Sequence, residues 1–486
     1  MAWVSVPRML SLTTLRSRQL LPALYILLAV SFIFFFYQRG FDHSIVPSVA
    51  DPTPTLTPTP AQEPAPKPKP KYKPQPTWVP PPVKDPFPLL SQSNPPPVPS
   101  WNRPKEPNIY QTYGLTVAPP LLISFTRSWP LLLQTVVSYI TAGWPADQIF
   151  VLENTGVHDA NAKGRLSLQN PLFLNYTQLS ILNVNIIRTP VLLSFAQLQN
   201  YFVFLAKERS WPYFFWSHMD SFVLSYEEGM PGVSGPVDTP AYQTIYDLAI
   251  RELNHTISNK KWGITFFAYD HLTLVNPDAY DSVGGFDTFI PYYMTDCDMY
   301  WRLEEAGWKI KEEKAGIVED VASVLDDLRV LYREGYVPEG LGFTDPNPPP
   351  PDDPEGGHKE TKIRDVPPPS RDETAATDDN MAPGSGKQTM TAADALRSFK
   401  RLHQISHDML LHKKGDRGRN TWQLGQKGGD PREPYYYDAL GFQAGIEVIT
   451  EAGKEVFRRK WGHRGCDFGA AGLKPSDAWK VEQDWE

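Results

Sequence analysis

Between about residues 109 and 345 the chain alternates short apolar runs with longer amphipathic stretches. Leu121-Leu-Ile-Ser-Phe125 has the length of a buried strand and ends at Thr126-Arg127, and Leu131 to Ala142 repeats its apolar positions at helical spacing until Gly143 stops it. The pattern predicts further strands at Gln148–Leu152, Asn183–Ile187 and Tyr213–Trp216, with a helix over Phe195–Arg209. Strands separated by helices predict right-handed crossovers, hence an α/β fold with a mostly parallel sheet and helices on both faces. Ligands of such sheets collect at the C-terminal strand ends. Those ends are Thr126-Arg127, Glu153-Asn154, Ser217-His218-Met219-Asp220 and the residues just past Phe267.

Outside this region the pattern changes twice. Leu20 to Tyr37 is an uncharged, almost wholly apolar stretch, close to the ~20 residues that cross a bilayer. Arg8, Arg16 and Arg18 precede it with no acidic residue, so a tail over 1–19 is expected in the cytosol and a single-pass type II anchor over 20–37. The apolar run ends in aromatic residues and not in the small residues of a cleavage site, which argues against a removed signal peptide. Of the 50 prolines, 22 fall between Pro47 and Pro107, and such a density predicts a disordered, extended stem over 38–108. A second stretch poor in large apolar residues predicts a disordered insertion over 345–390. After it, Ala392–Leu411 reads as an amphipathic helix, and 391–486 is expected to complete the domain begun at 109.

Composition narrows the class. A formal charge of -8 gives no field for nucleic acid. Two cysteines, Cys297 and Cys466, allow one intrachain bridge and exclude a four-cysteine zinc site. The sequons at Asn175 and Asn254 are candidate glycosylation sites in a lumenal protein.

Two segments carry candidate chemistry. His218 and Asp220 lie two apart beyond an apolar strand, where extended backbone points both side chains to one side and their donor types suit Mn2+ or Mg2+. A capping Asp beside a packing His is the structural alternative. Further on stand Gly284-Gly285-Phe286-Asp287 and Asp296-Cys297-Asp298, the latter opening an amphipathic helix to about Ala306 that Gly307 ends. The glycines allow close backbone approach to a ligand. Asp296 at a helix start is placed either to cap it or to take a proton from a hydroxyl.

Together the LLISFTR and IFVLENTG strands, WSHMD, and the GGFD to TDCDMYWRLEEAGW block resemble a GT-A fold (Rossmann-like) glycosyltransferase, nearest in character to the family-two-like Golgi enzymes of fungi. The resemblance spans about 120–330. It implies a nucleotide-sugar donor whose diphosphate is bridged by Mn2+ or Mg2+ at His218 and Asp220, with Thr126, Arg127, Glu153 and Asn154 at the donor. It implies Asp296 as general base of an inverting transfer to a glycan or glycoprotein hydroxyl, with Gly284, Gly285, Asp287 and Asp298 at the sugar or acceptor. The family's late histidine metal contact matches His463, in Lys460-Trp461-Gly462-His463. Two positions depart from the family: His218 replaces the first metal carboxylate, and Thr295 replaces the Glu before the base. A non-catalytic carbohydrate-binding or scaffold protein on the same fold, of the Golgi or cell wall, is the alternative.

Overall fold

A computed structural model of the protein describes residues 69–72, 74, 81–348, 391–417, 430, 432–433, 439–483 and 485. Residues 81 onward belong to one unit, Pro76–Glu486. The expected cytosolic tail and anchor, the first part of the stem and the insertion from 349 to 390 lie outside the described residues. Among the described residues no helix is long and apolar enough to cross a membrane.

The strands are β1 (Leu121–Phe125), β2 (Ile149–Glu153), β3 (Asn185–Arg188), β4 (Phe214–Ser217), β5 (Ser221–Leu224), β6 (Trp262–Phe266), β7 (Leu272–Val275), β8 (Lys309–Glu312) and β9 (Ile317–Asp320), followed by two residue pairs, β10 (Val324–Leu325) and β11 (Phe343–Thr344). Seven of them form one sheet in the order β3-β2-β1-β4-β7-β6-β8. Within it β7 alone runs against the others, pairing antiparallel with both β4 and β6. The chain moves outward from β1 to β3 and then returns to β4 on the far side of β1, so the crevice at the switch point opens between the ends of β1 and β4.

Alternation along β1 and β4 builds the two faces. Leu121, Ile123, Phe125 and Phe215 enter one apolar core with the helices Trp129–Thr141 and Ile245–Ile257, while Leu122, Phe214 and Trp216 enter the other with Phe195–Glu208, Pro277–Ser282 and Thr295–Glu305. Local chemistry agrees with these helices. Ser194 with Gln197, Thr244 with Asp247 and Thr391 with Asp394 form capping boxes, each satisfying donors at a helix start. The Ala392–Leu411 helix lays Phe399, Leu402, Ile405 and Met409 into the first core, so the C-terminal segment is part of the same body.

The stem differs from expectation at its C-terminal end. Phe87 and Leu90 are buried in the first core, and Asp85 accepts a hydrogen bond from Gln178 at 2.9 Å. Asn102, 1% exposed, donates to Thr141 O at 2.8 Å and to Glu227 Oε1 at 3.1 Å, and accepts from Tyr242. Gly143, at φ +108°, is required there, because a Cβ would stand 2.8 Å from Asn102 O. Proline density marks where regular elements are excluded, but 81–108 still packs through its few aromatic and aliphatic side chains. Asn102→Ala is expected to cost about 1–3 kcal/mol by urea denaturation, since it removes one hydrogen bond from each of three buried polar groups.

Candidate functional site at the sheet switch point

Cross-strand register assembles the site. Antiparallel pairing of β4 with β7 sets Ser217 opposite Leu272, so the residue just after β4, His218, meets the one before β7, His271, with ring centroids 4.9 Å apart. Pairing of β5 with β9 sets Ser221 opposite Asp320, which brings Asp320 beside Asp220. The β6–β7 loop adds Tyr269 and Asp270. His218 Nε2 lies 3.4 Å from Asp270 Oδ2, and His271 Nε2 lies 3.7 Å from Asp270 Oδ1 and 3.9 Å from Asp320 Oδ2.

One cation from far along the chain closes this cluster. Lys413, 2% exposed in its side chain, places Nζ 2.8 Å from Asp220 Oδ2 and bonds Asp320 Oδ1 as well. Burial pushes the Lys413 ammonium down, but Asp220 and Asp320 outweigh it and hold it above the usual lysine range. Burial likewise raises Asp220 less than Lys413, His218 and His271 lower it. For His218 desolvation is outweighed by Asp270, Asp220 and Asp320, so its imidazolium form is favoured. Burial and the neighbouring His218 push His271 the other way.

Asp296 sits in the first turn of the Thr295–Glu305 helix, where the dipole favours a carboxylate. Tyr269 donates to its Oδ2 at 2.8 Å. Thus the β6–β7 loop touches both the His218 cluster and Asp296, and joins them into one crevice wall. Ser128, Tyr269 and Met294 flank Arg127, Asp270 and the Asp296 helix, and all three hold left-handed backbone at φ +68°, +47° and +73°. Such non-glycine conformations cost on the order of 1–3 kcal/mol each and concentrate at functional sites.

Several expected ligands have structural duties instead. Glu153 is fully buried, with Oε1 accepting from Asn161 at 2.9 Å and Oε2 from Tyr176. Asn154 holds the Leu193 backbone through its N–H and C=O at 2.7 and 2.9 Å, with a longer bond to Thr126 Oγ1 at 3.4 Å. Arg127 is 4% exposed, its guanidinium 4.6 Å from the Phe442 ring. The Gly284-Gly285 turn is left-handed and clamped: Arg302 Nη2 donates to Gly285 O at 2.7 Å, and a Cβ on Gly285 would meet Asn200 Oδ1 at 2.5 Å. Asp287 pairs with Lys460 at 2.8 Å.

Asp298 is the clearest correction. It is fully buried and takes Arg302 at 2.8 Å, Trp461 Nε1 at 3.0 Å and Lys460 Nζ at 2.6 Å, leaving no face for an acceptor sugar. Asp298→Ala is expected to destabilise by about 3–5 kcal/mol, because it removes the counter-ion of the largely buried Arg302 and one of the two carboxylates that Lys460 holds. A thermal-shift measurement checks this, and an unchanged midpoint would refute the structural role. The expected Lys460-Trp461 segment therefore does return to the Asp296 helix, but through Lys460 and Trp461. His463 instead lies 2.8 Å from Asp467 Oδ1. The C-terminal residue that reaches Asp220 is Lys413.

Cys297 and Cys466 form a disulfide with Cα atoms 5.4 Å apart. It ties the Asp296 helix to a small cluster of Ile290, Phe457, Trp461, Phe468 and Leu473. Asn254 is exposed on the Ile245–Ile257 helix, and Asn175 caps the Tyr176–Ile181 helix by accepting from Gln178 N at 3.0 Å.

For Mn2+ or Mg2+ the donor chemistry is suitable, and Asp220 Oδ1 is buried without a hydrogen-bond partner among the described residues. The arrangement is not suitable. Among the described residues no three His, Cys, Asp or Glu side chains converge to hold an ion, and the Lys413 ammonium stands between Asp220 and Asp320. The expected metal set of His218, Asp220 and His463 is therefore not brought together.

No protein-family model matches the chain, and neither does any curated protein. Among solved structures it is similar to a mannosyltransferase from Pyrobaculum calidifontis, described in complex with GDP-Man and Mn2+, at 10% identity and a TM-score of 0.27. That match covers 42% of this chain and spans 61% of the mannosyltransferase. It is also similar to a cytidylyltransferase from Leptospira borgpetersenii at 8% identity and a TM-score of 0.23, over 40% of this chain and 75% of the other. At such TM-scores neither likeness decides the function.

Proposed function

We propose that this protein is an inverting glycosyltransferase that moves a sugar, most simply a hexose, from a nucleotide-sugar donor to a glycan or glycoprotein hydroxyl. The observation that carries the reading is Asp296: a partly exposed carboxylate fixed in a first helical turn at the switch-point crevice and oriented by Tyr269. In this reading Asp296 takes the acceptor's hydroxyl proton as its oxygen bonds to the anomeric carbon. The bond from that carbon to the nucleoside diphosphate breaks as the new one forms.

The reading places the enzyme in the Golgi lumen, held by the apolar segment 20–37 and displayed on the proline-rich stem. The Cys297–Cys466 bridge supports an oxidising compartment. Incubating the full-length protein with a panel of nucleotide sugars and candidate acceptors tests the activity, with nucleotide release as the readout. One observation favours the alternative of a non-catalytic carbohydrate-binding scaffold, namely the lysine lodged between Asp220 and Asp320. That alternative predicts affinity for sugars with no nucleotide released from any donor.

A further inference from the structure

We propose that Lys413 is a built-in cation that takes the place of a divalent metal between Asp220 and Asp320, so that the crevice receives its anionic donor without a metal ion. The donor's nature rests on the nucleotide-sugar reading above; the exclusion of metal rests on the lysine's geometry.

An ammonium has three N–H donors and no acceptor. Here one goes to Asp220 Oδ2 and another to Asp320 Oδ1, and Val321 O lies 3.5 Å away. These carboxylate oxygens are the ones a bridging cation would need, and β5–β9 pairing fixes them side by side. The lysine is not a surface side chain that has swung inward. It lies just beyond the Ala392–Leu411 helix, which is anchored in the main core by Phe399, Leu402, Ile405 and Met409. Its neighbour His412 is held 3.3 Å from Asp345 and packs on Phe343. A dication entering the pair would meet a fixed positive charge within a few ångströms in a poorly solvated place, where charges are weakly screened.

Lys413 also answers an electrostatic problem of the proposed reaction. Asp220, Asp270 and Asp320 crowd one wall of the crevice and would repel a diphosphate. The lysine lies against two of these three carboxylates and offsets part of that charge. Lys413 thus acts through the carboxylates it holds, as a positioning and neutralising residue.

Titration of the full-length protein with Mn2+ alone, followed by the electron paramagnetic resonance signal of the free ion, tests the inference without any substrate. Wild type is expected to show no site at the pair. Lys413→Met is expected to bind Mn2+ at least about tenfold more tightly than wild type, and adding Asp220→Asn is expected to remove that gain. Tight binding by wild type that Asp220→Asn removes would overturn the inference, and this arm does not depend on Lys413→Met folding. Equal binding by wild type and folded Lys413→Met would overturn it too. For any nucleotide sugar the donor panel identifies, wild-type turnover is expected to persist in EDTA, and its loss there would refute metal independence. If no nucleotide sugar is turned over, the functional reading fails while the Mn2+ titration still decides the role of Lys413.

Discussion

Asp296→Asn is expected to lower sugar transfer by about 10²–10⁴-fold, the range for loss of a general base, while affinity for the nucleoside diphosphate is unchanged. The substitution keeps the side chain's shape and can still accept the Tyr269 hydrogen bond, so the helix start and the β6–β7 loop stay in place. What it removes is the ability to accept a proton. Tyr269→Phe is the companion: it deletes the hydrogen bond that orients Asp296 and is expected to give a smaller loss. Calorimetry with the nucleoside diphosphate separates binding from chemistry. Turnover retained by Asp296→Asn would remove it as the base, and lost nucleotide affinity would mean that the carboxylate shapes the donor site.

The second large effect is on stability. Replacing both Cys297 and Cys466 with Ala is expected to cost about 4–5 kcal/mol in the chain-entropy account of cross-links, because the bridge joins residues separated by 169 positions. Native-state contacts point the same way: Phe468 packs on Trp461 at 4.7 Å and stacks on Trp301 of the Asp296 helix at 5.6 Å. When the tail loosens, Lys460 and Trp461 lose their hold on Asp298, two residues from Asp296. The double variant is therefore expected to unfold at lower urea and to lose activity in parallel. Equal urea midpoints with and without the bridge would show that the aromatic cluster holds the tail unaided.

Periodicity made the first four strands of the sheet and the helices Trp129–Thr141 and Phe195–Glu208 legible, because each is a local pattern of apolar residues, whereas the short helices His158–Ala162 and Tyr176–Ile181 were not foreseen. The Ala392–Leu411 helix has the predicted bounds. The place of Asp296 in a first helical turn was legible because a helix-opening carboxylate has a local signature. The rest of its crevice was only partly visible. The rule about strand ends directed attention to the stretch just past Phe267, where Tyr269, Asp270 and His271 lie, but their partners depend on register. Asp320 meets Asp220 only through β5–β9 pairing, and Lys413 meets it from 193 positions away. Glu153, Asn154 and Asp298 illustrate the opposite error. A polar side chain at a strand end or helix start looks alike in sequence whether it faces a ligand or a buried network, and only the partners Tyr176, Leu193 and Lys460 distinguish the two.

The anchoring of the Ala392–Leu411 helix in the first core has a consequence in time. The sheet is complete once β8 ends at Glu312, yet Met409, which helps close the first core, is synthesised about a hundred residues later. At about 5–20 residues per second this leaves roughly 5–20 s during which the part of the first core that the late helix covers stays open to its surroundings. The nascent chain in that interval presents a hydrophobic surface that the mature protein never displays. Its yield during biosynthesis therefore depends on whatever shields that face until the late helix arrives.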